Sequence, residues 1–96
     1  MLKKNKISKL SVRKKKILFK CTHRGTKELD TLLGNYVSNH ISILKSKELD
    51  YLDIILCFND MDLFKILTKK KEISKKMNKF FVKKIIIFNQ KFNKYV

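Results

Sequence analysis

The chain has 96 residues, 24 of them Lys or Arg and eight Asp or Glu, for a formal net charge of +16. That length holds one domain, and so short a chain buries only about 60–65% of its unfolded surface, which weighs against a large ligand cavity and a self-contained enzyme. The composition also argues against a membrane span, since the longest apolar run, Ile54 to Phe58, is five residues and the next, Ile85 to Phe88, four, against the roughly 20 required.

Residues 1–11 are basic and without periodicity and read as a flexible arm. Ser11 offers an N-cap to a first amphipathic helix carrying Val12, Ile17, Phe19 and Cys21, which stops between Thr22 and Gly25. From Thr26 the pattern sharpens. Leu29, Leu32, Leu33, Tyr36, Val37 and His40 fall at offsets of 3, 4, 7, 8 and 11 from the first and make one helical stripe. Glu28 and Asp30 sit in its first turn, where the helix dipole favours a negative charge by about 0.3–1 kcal/mol. Gly34, within this helix, costs about 1 kcal/mol relative to Ala, and close approach of another helix would compensate. His40 on the apolar stripe reads as a structural histidine, and His23 has no partner visible in the sequence.

Ser46 is placed to cap a third helix, with Leu49, Leu52, Ile55 and Leu56 facing inward and Glu48, Asp50 and Asp53 outward. Asp60 is placed to cap a fourth, in which Leu63, Phe64 and Leu67 close the core. Lys69, Lys70 and Lys71 make a connector. A fifth helix is expected from Glu72 or Ser74, with Ile73, Met77, Phe80, Phe81 and Phe88 on or near one face. The Ile85-Ile86-Ile87 run has strand character, but a lone strand among helices has nothing to pair with. The expected fold is therefore an all-α five-helix bundle over residues 12–90, with a basic tail over 91–96.

Charge is unevenly distributed. Residues 1–23 carry nine bases and no acid, residues 24–67 five bases and seven acids, and residues 68–96 ten bases and one acid. Clustered cations of this kind suit nucleic acid or an anionic surface through counterion release, and a small basic nucleic-acid-binding or antitoxin-like module is one reading of the chain. Against it, nearly every base is Lys, whereas nucleic-acid surfaces favour the bidentate fork of Arg. Abundant Lys, Ile, Asn and Phe, with no Ala, Pro or Trp, follow the drift of AT-rich coding sequence. Cys21 and Cys57 lie far apart without Cys-x-x-Cys or Cys/His ligand spacing, so neither a zinc site nor a disulfide scaffold is indicated. No Gly-rich phosphate loop, metal-ligand cluster or nucleophile with a recognisable base supports an enzyme.

Against that background one stretch stands out, Arg24-Gly25-Thr26-Lys27-Glu28-Leu29-Asp30, which holds one of two arginines and one of two glycines. The Arg24-Gly25-x-x-Glu28 pattern, followed by Leu32-Leu33-Gly34, resembles the signature of the succinate dehydrogenase flavinylation assembly factors, a family of small helical proteins. Matches in register continue upstream through Arg13 to Phe19 and downstream through Leu44, Glu48-Leu49 and Ile55-Leu56 to Asp60-x-Asp62-Leu63-Phe64. Members often carry a second basic residue where His23 stands, an acid at Cys57 and Pro at Met61. The resemblance implies a monomeric assembly chaperone that binds the flavoprotein subunit of succinate dehydrogenase or fumarate reductase and promotes covalent attachment of FAD to it. It implies no cofactor of the chain's own, the FAD being handled on the client. Arg24, Gly25 and Glu28 would centre the partner-binding face, with His23 and Lys27 beside them. Arg24 is expected to offer its fork to a carboxylate or carbonyl of the partner, Gly25 to admit a close backbone, and Glu28 to steer Arg24 or to accept a hydrogen bond from the partner. The eleven residues before the first helix are short and Lys-rich for a transit peptide, which favours the bacterial cytoplasm, with the mitochondrial matrix as the alternative.

Overall fold

The computed structural model describes residues 10–92 and folds them into five helices, α1 (Val12–Thr22), α2 (Lys27–His40), α3 (Ser46–Leu56), α4 (Asp60–Leu67) and α5 (Lys79–Phe92). Among the described residues there is no strand, and Ile85 to Ile87 are helical. The basic arm lies almost wholly outside the described residues. So does most of the tail expected from residue 91, although α5 runs through its first two positions.

Four of the five helices begin where a polar side chain accepts from a free amide of the first turn. Ser11 Oγ accepts from the Lys14 amide at 3.2 Å, and Thr26 Oγ1 from Leu29 at 3.3 Å. The fourth cap is Asn59 rather than Asp60: its Oδ1 accepts from the Asp62 amide at 2.8 Å, and Asp60 is the first helical residue. At α3, Ser46 is likewise inside the helix. The cap position is Lys45, whose amide donates to Glu48 Oε1 at 3.0 Å, so Glu48 folds back on its own helix instead of facing fully outward.

The fifth helix starts later than its apolar spacing suggests. Lys69 takes φ 64° and ends α4. Ser74 then holds a turn, its Oγ accepting from the Lys76 amide at 3.2 Å and its carbonyl from Met77 at 3.0 Å. Ser competes for the backbone in this way, so Ile73 and Met77, four residues apart, anchor a turn rather than a helical stripe. Asn78 Oδ1 accepts from Phe81 at 2.9 Å and opens α5.

Helix α2 is the centre of the bundle, with Leu29, Leu32, Leu33, Tyr36 and Val37 all buried. Helix α1 crosses it at Gly34, where a Cβ would stand 3.1 Å from Thr22 Cγ2 and 3.2 Å from the Cys21 carbonyl. The close approach expected at this glycine is present. Helix α5 lies on the far side of α2, at Leu32 and Tyr36: Asn89 Nδ2 donates to the Leu32 carbonyl at 2.8 Å, and Phe81 and Phe88 meet the Tyr36 ring edge-on. Ile17 and Cys21 of α1, Leu52 and Ile55 of α3, and Leu63, Ile66 and Leu67 of α4 are among the other buried core residues. Three residues assigned to apolar faces point outward instead: Val12, Phe19 and Phe80.

Candidate functional site

The stretch from His23 to Glu28 joins α1 to α2, and Arg24 fixes its shape. The guanidinium turns inward, its side chain only 13% exposed. Nε and Nη2 both reach Asp60 Oδ1, at 3.0 and 2.9 Å; Nη1 donates to the Leu56 carbonyl at 2.9 Å and Nη2 to the Phe58 carbonyl at 2.6 Å. Two of these acceptors belong to the end of α3 and the turn after it, and the third to the first residue of α4. One planar fork thus satisfies carbonyls at the end of one helix and joins them to a carboxylate at the start of the next. The Arg24 amide adds a bond to Asp30 Oδ1 at 2.7 Å, tying the loop to the first turn of α2.

The acceptors are those expected for Arg24, a carboxylate and peptide carbonyls, but they come from this chain rather than from a partner. The steering contact expected between Arg24 and Glu28 is replaced by Asp60 and Asp30. Lys could not make this set, because its single ammonium lacks the planar fork.

With Arg24 holding it from behind, the loop presents its other residues to solvent. Gly25 is exposed and takes φ 102°, a conformation open to glycine. A Cβ there would meet Asp60 Oδ2 at 3.8 Å, an ordinary contact, so the requirement for glycine comes from the backbone angle and not from crowding. Lys27 and Glu28 are exposed on the first turn of α2, and Glu28 makes no side-chain hydrogen bond or ion pair among the described residues. His23 is exposed and anchored: Nδ1 donates to the Phe19 carbonyl at 2.9 Å, and its ring stacks on Phe19 with centroids 4.0 Å apart. A carbonyl can only accept, so Nδ1 carries a proton in that bond.

Beside the loop runs an open groove of about 380 Å³ between α1 and α3, lined by Phe19, Lys20, His23, Arg24, Asp53, Leu56 and Cys57. The two cysteines differ sharply. Cys57 is exposed, its thiol donating to the Asp53 carbonyl at 3.3 Å, whereas Cys21 lies buried under the crossing of α1 and α2, and burial pushes its thiol up to about 12. Both are free. Among the described residues no cluster of His, Cys, Asp and Glu is arranged to hold a metal ion.

All five residues singled out in the sequence therefore meet at one corner of the molecule, four of them exposed and Arg24 beneath them. Sequence reasoning missed Asp60 and Asp30 as the partners of Arg24, and Asp53, Leu56 and Cys57 as the groove's far wall. It also missed Arg13, which donates to Asp50 and, at 2.8 Å, to Asp53, clamping α1 to α3 at the other end. The two carboxylates raise the pKa of Arg13 through these hydrogen bonds. One signal was available in the sequence: two arginines kept among lysines mark positions where the fork itself is used.

Comparison with known proteins agrees with the resemblance carried by this loop. Residues 15–89 match the family described as flavinator of succinate dehydrogenase. The chain is also 33% identical, over 69 residues, to the mitochondrial succinate dehydrogenase assembly factor 2 of Dictyostelium discoideum, a match covering 72% of this chain and 49% of that protein. The chain thus spans about half the length of the curated relative it matches. No solved structure matches it. With the match extending from α1 to near the end of α5, and the Arg-Gly-x-x-Glu loop at its centre, the chain belongs to the flavinator of succinate dehydrogenase family.

Proposed function

We propose that this protein is an assembly factor that binds the flavoprotein subunit of succinate dehydrogenase, or of fumarate reductase, and promotes covalent attachment of FAD to it. The observation that carries this reading is the loop itself. Arg24 is spent on internal acceptors, while Gly25, Lys27 and Glu28, which has no ion pair or side-chain hydrogen bond among the described residues, stand exposed. An exposed carboxylate with no partner among the described residues can accept from a donor on the client, and Gly25 lets the client's backbone approach without a side chain between. Arg24 is then a positioning residue. Its fork sets the loop so that no ordering cost falls on binding.

The chain supplies binding and orientation rather than chemistry of its own. Holding the client's domains so that FAD and its acceptor side chain stay in reacting geometry would lower the barrier by several kcal/mol, since positioning alone has that reach. FAD is handled on the client, and this chain acts on it as a monomer without a resident cofactor. The relative's name places that protein in the mitochondrion; the site proposed here operates alike there and in a bacterial cytoplasm.

The test is the affinity of the purified chain for its cognate flavoprotein subunit. Glu28→Ala is expected to weaken binding by about tenfold or more, the cost of a lost charge-assisted bond of about 1.5–3 kcal/mol. Binding is expected to persist at moderate salt, because the 24–67 segment that bears the loop is close to neutral. Unchanged affinity in Glu28→Ala would remove the loop from the interface.

A further inference from the structure

The outer face of α5 has a character that assembly-factor binding at the 23–28 loop does not use. At 3.6 residues per turn, Phe81, Val82, Ile85, Ile86 and Asn89 form the inward face, and all are buried. Opposite them, Phe80, Lys83, Lys84, Ile87 and Lys91 follow at offsets of 3, 4, 7 and 11 and form one outward stripe. Phe80 is 77% exposed and Ile87 52%, two large apolar side chains with no core to enter. Grooves on either side of the stripe share Ile87. One, of about 460 Å³, brings Ile43, itself 71% exposed, beside Lys84 and Lys91. The other, of about 330 Å³, brings Lys69, Lys71 and Ile73 beside Lys83. Lys71 is paired with Asp62, but Lys69, Lys83, Lys84 and Lys91 are exposed cations. Among the described residues the grooves hold one carboxylate, Glu48, whose Oε1 accepts from the Lys45 amide.

We propose that this face seats the protein on an anionic membrane surface, with Phe80 and Ile87 entering the boundary between headgroups and acyl chains and the flanking lysines engaging lipid phosphates. Lysine suits such a surface, because its stem lies along apolar material while its ammonium reaches the headgroups. An amphipathic helix with cations bordering apolar side chains binds through both contributions together. Nucleic acid would use the cations but not the aliphatic Ile43 and Ile87, which cannot stack on bases, and the face contains no arginine fork. An anionic lipid surface satisfies both the charge and the apolarity of the face. The face lies across α2 from the crossing of α1 at Gly34, so a seated molecule keeps the 23–28 loop open. The inference stands independently of the client reading.

Because the chain has no tryptophan, Phe80→Trp places a single reporter on the face. The full chain would be mixed with phosphatidylcholine vesicles, with the same vesicles carrying roughly one-third phosphatidylglycerol, whose surface potential attracts clustered lysines, and with a single-stranded oligothymidylate. The expected result is a blue shift of Trp emission on the anionic vesicles alone. In flotation, Phe80→Ser with Ile87→Ser is expected to weaken binding to those vesicles by at least about tenfold. Lys83→Gln with Lys84→Gln is expected to weaken it by about 20- to 30-fold. Unshifted emission on every vesicle would overturn the proposal, as would vesicle binding indifferent to the serine pair in a variant whose helical circular dichroism is intact. Tighter binding to the oligonucleotide, lost with the lysine pair and unaffected by the serine pair, would make this a nucleic-acid face instead. Should the serine pair fail to fold, the Trp reporter decides alone, since it keeps an aromatic side chain at an exposed position.

Discussion

Arg24 and Glu28 occupy one short motif, yet Arg24 turns inward onto internal acceptors while Glu28 stands exposed, and stability measurements separate the two. Removing the Arg24 fork leaves the Leu56 and Phe58 carbonyls and the Asp60 carboxylate without their donor. In urea unfolding Arg24→Ala is expected to cost about 2–3 kcal/mol, in the range for losing charge-assisted hydrogen bonds at a partly buried site. Glu28→Ala, at an exposed position without a partner among the described residues, is expected to stay within about 0.5 kcal/mol of the parent. Equal losses would mean that Glu28 is structural too. The two thiols offer a second test at this scale. A thiol reagent near neutral pH is expected to modify Cys57 quickly and Cys21 only after denaturation, because Cys21 is fully buried and its thiol is held neutral. Its pKa is higher in the folded state than in the unfolded chain. Stability from this group is therefore complete below the ordinary thiol range and declines as pH climbs from there towards about 12.

Among the elements, the α1–α2 crossing is the most demanding contact. Gly34→Ala gains about 1 kcal/mol of helix propensity, but its Cβ presses on the Cys21 carbonyl and on Thr22 Cγ2. Neither neighbour yields easily, since one is helix backbone and the other is held by the bond from Thr22 Oγ1 to the Leu18 carbonyl at 2.9 Å. Overpacking costs of about 1–3 kcal/mol should therefore win, giving a net loss of about 1 kcal/mol in thermal unfolding; a stabilised variant would show that the helices separate freely. At α4, the hydrogen bond from Lys71 holds the Asp62 carboxyl below the ordinary aspartate range. A depressed carboxylate contributes stability above its unfolded pKa and loses it as pH falls through the folded value. The Asp62 carbon resonance is accordingly expected to titrate at higher pH in Lys71→Gln than in the parent.

These elements also show what a sequence discloses. Stripes of Leu and Ile at helical spacing located α2, α3 and α4, because burying one face dictates that period, and Gly34 announced the crossing because only a close neighbour justifies a glycine there. The start of α5 was hidden: Ile73 and Met77 keep helical spacing while Ser74 bends the backbone between them, and side-chain competition for backbone hydrogen bonds leaves no periodic trace. Arg24 shows the same limit. Its isolation among lysines signalled a planar fork, but seven acids lie between residues 24 and 67, and spacing does not say which of them comes round to meet it. The direction of a long side chain is a property of the packed molecule.

Taken whole, the molecule sorts its chemistry by location. A nearly neutral central segment carries the loop and most of the core, and basic segments flank it on both sides in the sequence. The loop lies on the α1 side of α2 and the lysine-bordered apolar stripe on the α5 side, with the buried core between them. The two proposed surfaces, the loop for the client and the stripe for a membrane, therefore occupy different parts of the molecule. Membrane seating has its own vesicle test; the client claim rests on the loop. Its most direct test is the covalent flavin on the cognate succinate dehydrogenase flavoprotein subunit, read by fluorescence in a denaturing gel after expression alone, with this chain, or with its Gly25→Arg variant. The proposed function gives a rise with the parent chain and none with the folded variant, whose new side chain stands at an exposed, positive-φ position in the middle of the proposed contact. No rise with the parent, under conditions where an established assembly factor flavinylates the same client, would contradict it.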